Sequence, residues 1–135
     1  MKIILNKCFG GFGVSKEAHE LYAKKKGLTL YWYEYVFNNG SYKRTTSYSR
    51  SDRALIKDFG DVVFKPNDDF WDYCLELDES RRTDFALIEV VEELGSERAS
   101  GPCSKLVVVD IPDDLDYVID DYDGIETLHQ RVQTW

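Results

Sequence analysis

Histidine and cysteine, which often supply general bases and metal ligands, are scarce in this 135-residue sequence. The two histidines, His19 and His129, accompany no serine or cysteine in a known nucleophile motif. The three cysteines, Cys8, Cys74 and Cys103, are odd in number and form no Cys-x-x-Cys pair. The scarcity argues against a disulfide framework, a zinc site and nucleophilic catalysis. We therefore expect no catalytic residues, no cofactor, no bound metal and no enzymatic activity.

Long apolar runs are also absent. The clearest run, residues 106–109, is far shorter than the ~18 residues that a membrane-spanning helix needs. Met1 and Lys2 precede only three apolar positions, too few for the core of a secretory signal. We expect a cytoplasmic protein without membrane association.

Negative charge dominates and is unevenly distributed. Residues 1–67 contain 12 basic and 6 acidic side chains, whereas residues 68–135 contain 5 and 19, and the net charge is −8. Such an asymmetry can orient self-association into a homodimer, or it can partly cancel when the two halves interleave in the fold. The negative charge also opposes bulk nucleic-acid binding, because phosphate neutralisation dominates that affinity.

The pattern of apolar residues and turn signals predicts one α+β domain over residues 1–135. We expect a mostly antiparallel or mixed sheet, a β-hairpin at residues 28–48 and three or four short helices. Ser15 is a suitable N-cap for the first helix and Gly27 a suitable end. The other strands are predicted at residues 2–7, 71–77, 105–111 and 115–120, and helices at residues 15–26, 52–59, 84–94 and 125–135.

The predicted hairpin is unusually aromatic. Its Asn39-Gly40 pair favours a two-residue type I′ loop, which would place Phe37 opposite Tyr42. The same register groups three residues on one face, where they could stack a base and contact a phosphate: Tyr33, Tyr35 and Arg44. Alternatively, one face packs in the core and the other is solvated or contacts a protein.

A glycine-rich turn lies between the first strand and the helix that follows Ser15. Free amides and the helix dipole can bind an anion at such a place. The turn matches neither a Walker loop nor a complete Gly-x-Gly-x-x-Gly motif, because Lys16 occupies the third glycine position. The alternative is a tight turn that requires positive φ. The full candidate set for a phosphate-bearing ligand such as a nucleotide is Gly10, Gly11, Gly13, Ser15, Tyr33, Tyr35, Arg44 and Arg98.

The stretch from Leu106 to Glu126 contains eight acidic side chains and no basic one. A solvated face is one interpretation. A calcium site is another, although residues 121–124 supply only a fragment of the required loop. The third is a protein-binding surface, including imitation of a nucleic-acid backbone, and its candidate residues are Asp113, Asp114, Asp116, Asp120, Asp121 and Asp123. Paired carboxylates of an unrecognised enzyme are a further alternative.

Several of these segments resemble a family of small uncharacterised bacterial and phage proteins. The matching pieces are CFGGF at residues 8–12, LIEVVEELG at 87–95, VDIPDD at 109–114, YDGIE at 122–126 and the terminal Trp135. The resemblance implies a non-catalytic phage or prophage protein in the host cytoplasm, acting as an inhibitor or adaptor of a host protein such as a defence protein. Sequestration of a nucleotide signal is the alternative that it implies.

Overall fold

The computed structural model describes residues 1–36, 41–46, 48–49, 52–60 and 70–131. These residues form two α-helices and seven strands in three antiparallel sheets, which confirms the predicted α+β class. No described helix is long and apolar enough to cross a bilayer. The elements are β1 (Lys2–Asn6), α1 (Lys16–Lys26), β2 (Tyr31–Val36), β3 (Ser41–Thr45), β4 (Arg53–Leu55), α2 (Phe85–Ala99), β5 (Leu106–Asp110), β6 (Tyr117–Tyr122) and β7 (Ile125–Gln130), with short 3-10 helices at Phe70–Tyr73 and Glu79–Arg81.

The chain divides into two compact units, and the division falls within α1. The first unit contains residues 1–22 and 77–135, and the second contains residues 23–76. In the first unit, β1 pairs antiparallel with β5 and places Ile4 opposite Val108. The apolar residues of β1 are buried on both sides of the strand, and helix α2 contacts β5. Burial of this apolar area is the main stabilising term of the unit.

Both helices begin directly after a capping side chain, and the cap of α1 is the predicted Ser15. Ser15 Oγ accepts a hydrogen bond from Ala18 N at 3.0 Å, and α1 ends at Lys26 as predicted. The Asp84 carboxylate accepts from the second and third amides of α2, which satisfies two otherwise unpaired donors. The predicted end of α2 coincides with a break at Gly95, where φ is 80° and ψ is 163°. One more helical turn follows, so α2 extends to Ala99, five residues beyond the predicted end.

The predicted helix at residues 125–135 is wrong for the part that the structure describes. Residues 125–130 form β7, which pairs with β6 through a two-residue turn. Asp123 and Gly124 have φ values of 49° and 95°, and positive φ at both central positions is typical of a type I′ hairpin. The partner strand β6 begins two residues later than predicted. Residues 132–135 lie outside the described residues.

In the second unit, the predicted hairpin forms with a different register. Tyr35 lies opposite Tyr42, two residues away from the predicted pairing. The observed register places the two tyrosine rings 5.4 Å apart and sets Glu34 opposite Lys43, and both cross-strand pairs are favourable. The register is shifted by two residues, an even number, so each side chain stays on the face of the hairpin that was predicted for it. The Asn39-Gly40 turn lies outside the described residues.

Two other predictions in the second unit are wrong. The segment at residues 52–59 contains strand β4 instead of a helix, because Leu55 is buried with Tyr33 and Tyr42 in the core of this unit. The segment at residues 71–77 contains the end of the 3-10 helix Phe70–Tyr73 and then irregular structure instead of the predicted strand. Its single β-bridge, in the described part of the chain, joins Cys74 to Leu55. Tertiary packing outweighs local propensity in both segments.

Candidate functional site

Two turns of the first unit pack directly against each other. We call residues 8–11 and 121–124 the paired turns. Gly10 N donates to Asp123 O at 3.0 Å, and a Cβ on Gly124 would lie only 2.3 Å from Gly11 N. The buried Asn6 side chain donates to Gly124 O at 2.6 Å and to Cys8 O at 2.8 Å. The glycines at this place therefore permit close backbone approach.

These contacts do not favour an anion at the glycine-rich turn. The Gly10 amide already has a protein acceptor, and the acidic residues Asp121 and Asp123 belong to the adjoining turn. Ser15 and Arg98 are brought together, since Ser15 Oγ donates to Arg98 O at 2.6 Å. The Arg98 guanidinium pairs with Glu17, which raises the pKa of Arg98. Gly13 O accepts from Gly101 N and from the Ser104 hydroxyl.

The other three ligand candidates belong to the second unit. Tyr33 is completely buried, and its hydroxyl accepts a hydrogen bond from Phe59 N at 2.7 Å. Burial raises the pKa of Tyr33. Arg44 pairs with Asp58 at 3.0 Å, and Tyr35 packs edge-on against a neighbouring tyrosine. The ring of Tyr33 is therefore closed to a stacking base, and the predicted set does not form one pocket within either unit.

The six acidic candidates are all exposed. Two of them contact nitrogen-bearing side chains: Asp120 contacts His129 of β7 at 3.0 Å, and Asp116, just before β6, contacts Arg131, just after β7, at 3.2 Å. Asp121 Oδ1 accepts from Gly124 N at 2.8 Å, and Asp123 occupies the hairpin turn. The Met1 ammonium beside Asp113 lowers the pKa of that carboxyl. The sixth candidate, Asp114, lies in the connection between β5 and β6.

The β6–β7 hairpin has one packed face and one exposed face. Ile119 and Leu128 lie opposite each other on the packed face and are half-buried. Strand alternation places Val118, Asp120 and Tyr122 together on the exposed face. Tyr122 is 74% exposed and Val118 is 40% exposed. The exposed face therefore combines apolar and acidic side chains.

A second exposed aromatic residue, Phe9, lies beside the paired turns. Phe9 is 59% exposed and precedes Gly10, while Tyr122 precedes Asp123, the acceptor of the Gly10 amide. Each of the two residues therefore immediately precedes one end of the same backbone hydrogen bond. Sequence reasoning missed Phe9, although a large apolar residue inside a glycine-rich turn was a signal of exposure. We call the following set the acidic–aromatic surface: Phe9, Val118, Asp120, Tyr122 and Asp123.

An ion pair in the interior attaches the hairpin to the rest of the unit. Arg82 and Glu126 form two parallel hydrogen bonds of 3.0 and 2.7 Å. Glu126 also accepts from Asn6 N at 2.8 Å, and Arg82 also donates to Ile4 O at 3.1 Å. Burial alone would raise the pKa of Glu126, but the bonds from Arg82 and Asn6 outweigh it and hold the pKa below its usual value. No local sequence pattern indicates this pair, because its members are 44 residues apart.

A cavity of about 420 Å³ lies next to this ion pair. It is lined by two apolar side chains, three carboxylates and one guanidinium, which come from Phe12, Ile119, Glu79, Asp121, Glu126 and Arg82. Within residues 1–36, 41–46, 48–49, 52–60 and 70–131, no three His, Cys, Asp or Glu side chains are placed to hold a metal ion.

The two units of the fold differ in charge, as the two halves of the sequence do, although the units do not coincide with the halves. The first unit has 8 basic and 17 acidic residues, whereas the second has 9 and 8. Residues 1–22 join the acidic half and cancel little of its charge. The acidic–aromatic surface therefore belongs to the strongly negative unit.

No protein-family model, curated protein or solved structure matches this chain. The resemblance to the bacterial and phage family consequently stays a prediction. The geometry and charge of the first unit are what bear on its function.

Proposed function

We propose that this chain is a non-catalytic binding protein that engages another protein through the acidic–aromatic surface. The observation that carries the proposal is the pair of exposed rings, Phe9 and Tyr122, at the paired turns. Large apolar side chains that are exposed together are typical of protein contacts, and tyrosine is enriched in interface cores. The rings would supply most of the affinity, because a few central aromatic residues dominate interface energies.

The carboxylates around the rings define the chemistry of the partner. Asp120 shares the exposed face with Tyr122, Asp123 follows Tyr122 in the turn, and the unit to which they belong has a large excess of acidic residues. A basic surface on the partner would be attracted over long range and oriented before contact. A phosphate-bearing ligand would be repelled from the same place.

We infer the mode of action from two predictions made on the sequence, the lack of catalytic residues and the resemblance to bacterial and phage proteins. A protein that covers a basic surface acts as an inhibitor when that surface is functional, and as an adaptor when it is not. The resemblance to bacterial and phage proteins supports a host protein as the partner. A basic host protein that contacts nucleic acid suits the acidic array best, because carboxylates imitate phosphates in charge.

The test is affinity capture from host lysate with two matched variants. One variant carries Phe9→Ser and Tyr122→Ser, and the control carries Phe85→Ser at the start of α2, where the ring is 75% exposed. We expect the wild type and the control to retain the same partner in stoichiometric amount, and the double variant to lose it while it keeps its thermal unfolding midpoint. Retention of the partner by the double variant, or no partner with the wild type, contradicts the proposal.

A further inference from the structure

The cavity beside the Arg82–Glu126 pair lies on the packed side of the β6–β7 hairpin. Ile119, Asp121 and Glu126 of the hairpin contribute to its lining, whereas the acidic–aromatic surface uses the alternate residues of the same strand. Its volume of about 420 Å³ falls in the usual range of ligand pockets. The cavity is therefore a concave feature separate from the exposed acidic–aromatic surface.

The charges that face the cavity are predominantly negative. Arg82 and Glu126 neutralise each other, since their two parallel bonds occupy both carboxylate oxygens. Two carboxylates remain, those of Glu79 and Asp121, and neither forms an ion pair with a described residue. Asp121 Oδ1 is bound to Gly124 N, which leaves Oδ2 for another donor. The cavity should attract a cation.

The walls of the cavity indicate what kind of cation fits. Phe12 and Ile119 are half-buried and apolar, so part of the lining suits an aliphatic chain. The Phe12 ring already packs under a guanidinium, with Arg82 Cζ 5.5 Å from the ring centroid. Lysine and arginine side chains combine an apolar stem with a charged head. A bare metal ion suits this apolar lining less well.

We propose that this cavity accepts one lysine or arginine side chain of the protein partner. The head group would lie between the carboxylates of Glu79 and Asp121, and the stem would lie against Phe12 and Ile119. This inference rests on the proposed function and adds an anchoring site to it. It also agrees with the basic partner surface that the charge of the unit requires.

The test is a titration of the isotopically labelled protein by NMR with N-acetyl-arginine amide and N-acetyl-lysine amide. N-acetyl-glutamine amide is the neutral control. We expect saturable shifts of the Phe12, Ile119 and Asp121 amides with both basic probes, and no saturation with the neutral probe. Glu79→Gln and Asp121→Asn together keep the size of the lining but remove its charge. They should weaken binding of the basic probes roughly tenfold or more.

A matched carboxylate variant outside the cavity is Glu97→Gln on α2, which should leave the affinity for both probes unchanged. Equal affinity for the neutral probe, shifts confined to other residues, or unchanged binding by the Glu79→Gln/Asp121→Asn variant overturns the inference. The same double variant separates the two proposals in lysate capture. If it still retains a partner that Phe9→Ser/Tyr122→Ser loses, the acidic–aromatic surface stands and the anchoring cavity fails.

Discussion

Arg82 and Glu126 illustrate how single residues determine the position of the proposed surface. Their side chains are 14% and 5% exposed, so each charge depends on the other for stabilisation. Removing one partner leaves an uncompensated buried charge, whereas removing both does not. The pair holds β7 close to β1, because Glu126 also accepts the Asn6 amide. Neither residue was predicted to have this role, since pairing across 44 positions has no local signature.

Replacement of Arg82 by methionine should lower the free energy of unfolding by about 3–5 kcal/mol. The double variant Arg82→Met/Glu126→Leu should be more stable than Arg82→Met alone, because it removes the orphaned carboxylate. Urea denaturation of the two single variants and the double variant provides the coupling energy. Additivity within about 0.5 kcal/mol would show that the two side chains are not coupled.

The half-buried His19 should make stability sensitive to mild acid. Burial lowers the pKa of His19 below its ordinary value of 6.5, although a bond to Ser15 O opposes the shift. The folded state therefore prefers neutral His19. Its contribution is fully present above the ordinary pKa and is lost as the pH falls through the lowered one.

We expect His19→Gln to lose less stability than the wild type between about pH 7.5 and about pH 5. Urea unfolding midpoints at the two pH values measure this difference. His129 is present in both proteins, so its titration cancels in the comparison. An identical loss in wild type and variant would rule out His19 as the source.

At the scale of elements, local signals predicted some segments and not others. Helix α1 was predictable because Ser15 caps its start, and β5 because its apolar run ends before Pro112. Strand β7 was not, since Ile125 and Leu128 have the spacing of a helix face and the strand exists through its pairing with β6. Strand β4 has only three residues and depends on β2 in the same way.

The candidate site was predictable to a similar extent. The six acidic candidates were identified from the run of carboxylates along the sequence, and all six are exposed. The aromatic part was not assigned, because the segments that contain Phe9 and Tyr122 are joined only in the fold, by the bond from Gly10 N to Asp123 O. The residues predicted to bind a ligand at the β2–β3 hairpin included Tyr33, but Tyr33 is buried because Leu55 packs against it. Long-range contacts therefore determine which aromatic side chains are exposed and which are buried, and the local sequence pattern does not.

The paired turns give a prediction that belongs to this scale. Gly124→Ala should lower the free energy of unfolding by about 1–3 kcal/mol, because Gly124 has φ of 95° and a Cβ there would meet Gly11 N. Gly13→Ala is the matched control, since a Cβ at Gly13 has nothing within 4 Å. Thermal unfolding measures both. Equal midpoints for the two variants would show that the turns are not in close contact.

At the scale of the whole molecule, charge separates the two units. The first unit carries more than twice as many acidic as basic residues, and the second is nearly balanced. A protein that uses the first unit for recognition should select basic partners and associate rapidly at low ionic strength. The fold joins residues 1–22 to the acidic C-terminal part of the chain, but the excess of negative charge in that unit remains.

Association with the captured partner should depend strongly on salt. Raising the ionic strength from about 0.05 M to about 0.5 M should slow association by at least about tenfold and change dissociation much less, because screening acts on the approach of charged surfaces. Surface plasmon resonance separates the two rates. An association rate that does not respond to salt would exclude electrostatic steering.

Hydrogen–deuterium exchange of the chain alone and in complex with its captured partner tests the central claim most directly, because it locates the contact. We predict that complex formation protects peptides covering residues 8–12 and 117–126, with peptides of α2 unchanged. Protection confined to α2 or to the second unit, with the paired turns exchanging as in the free protein, would contradict the account.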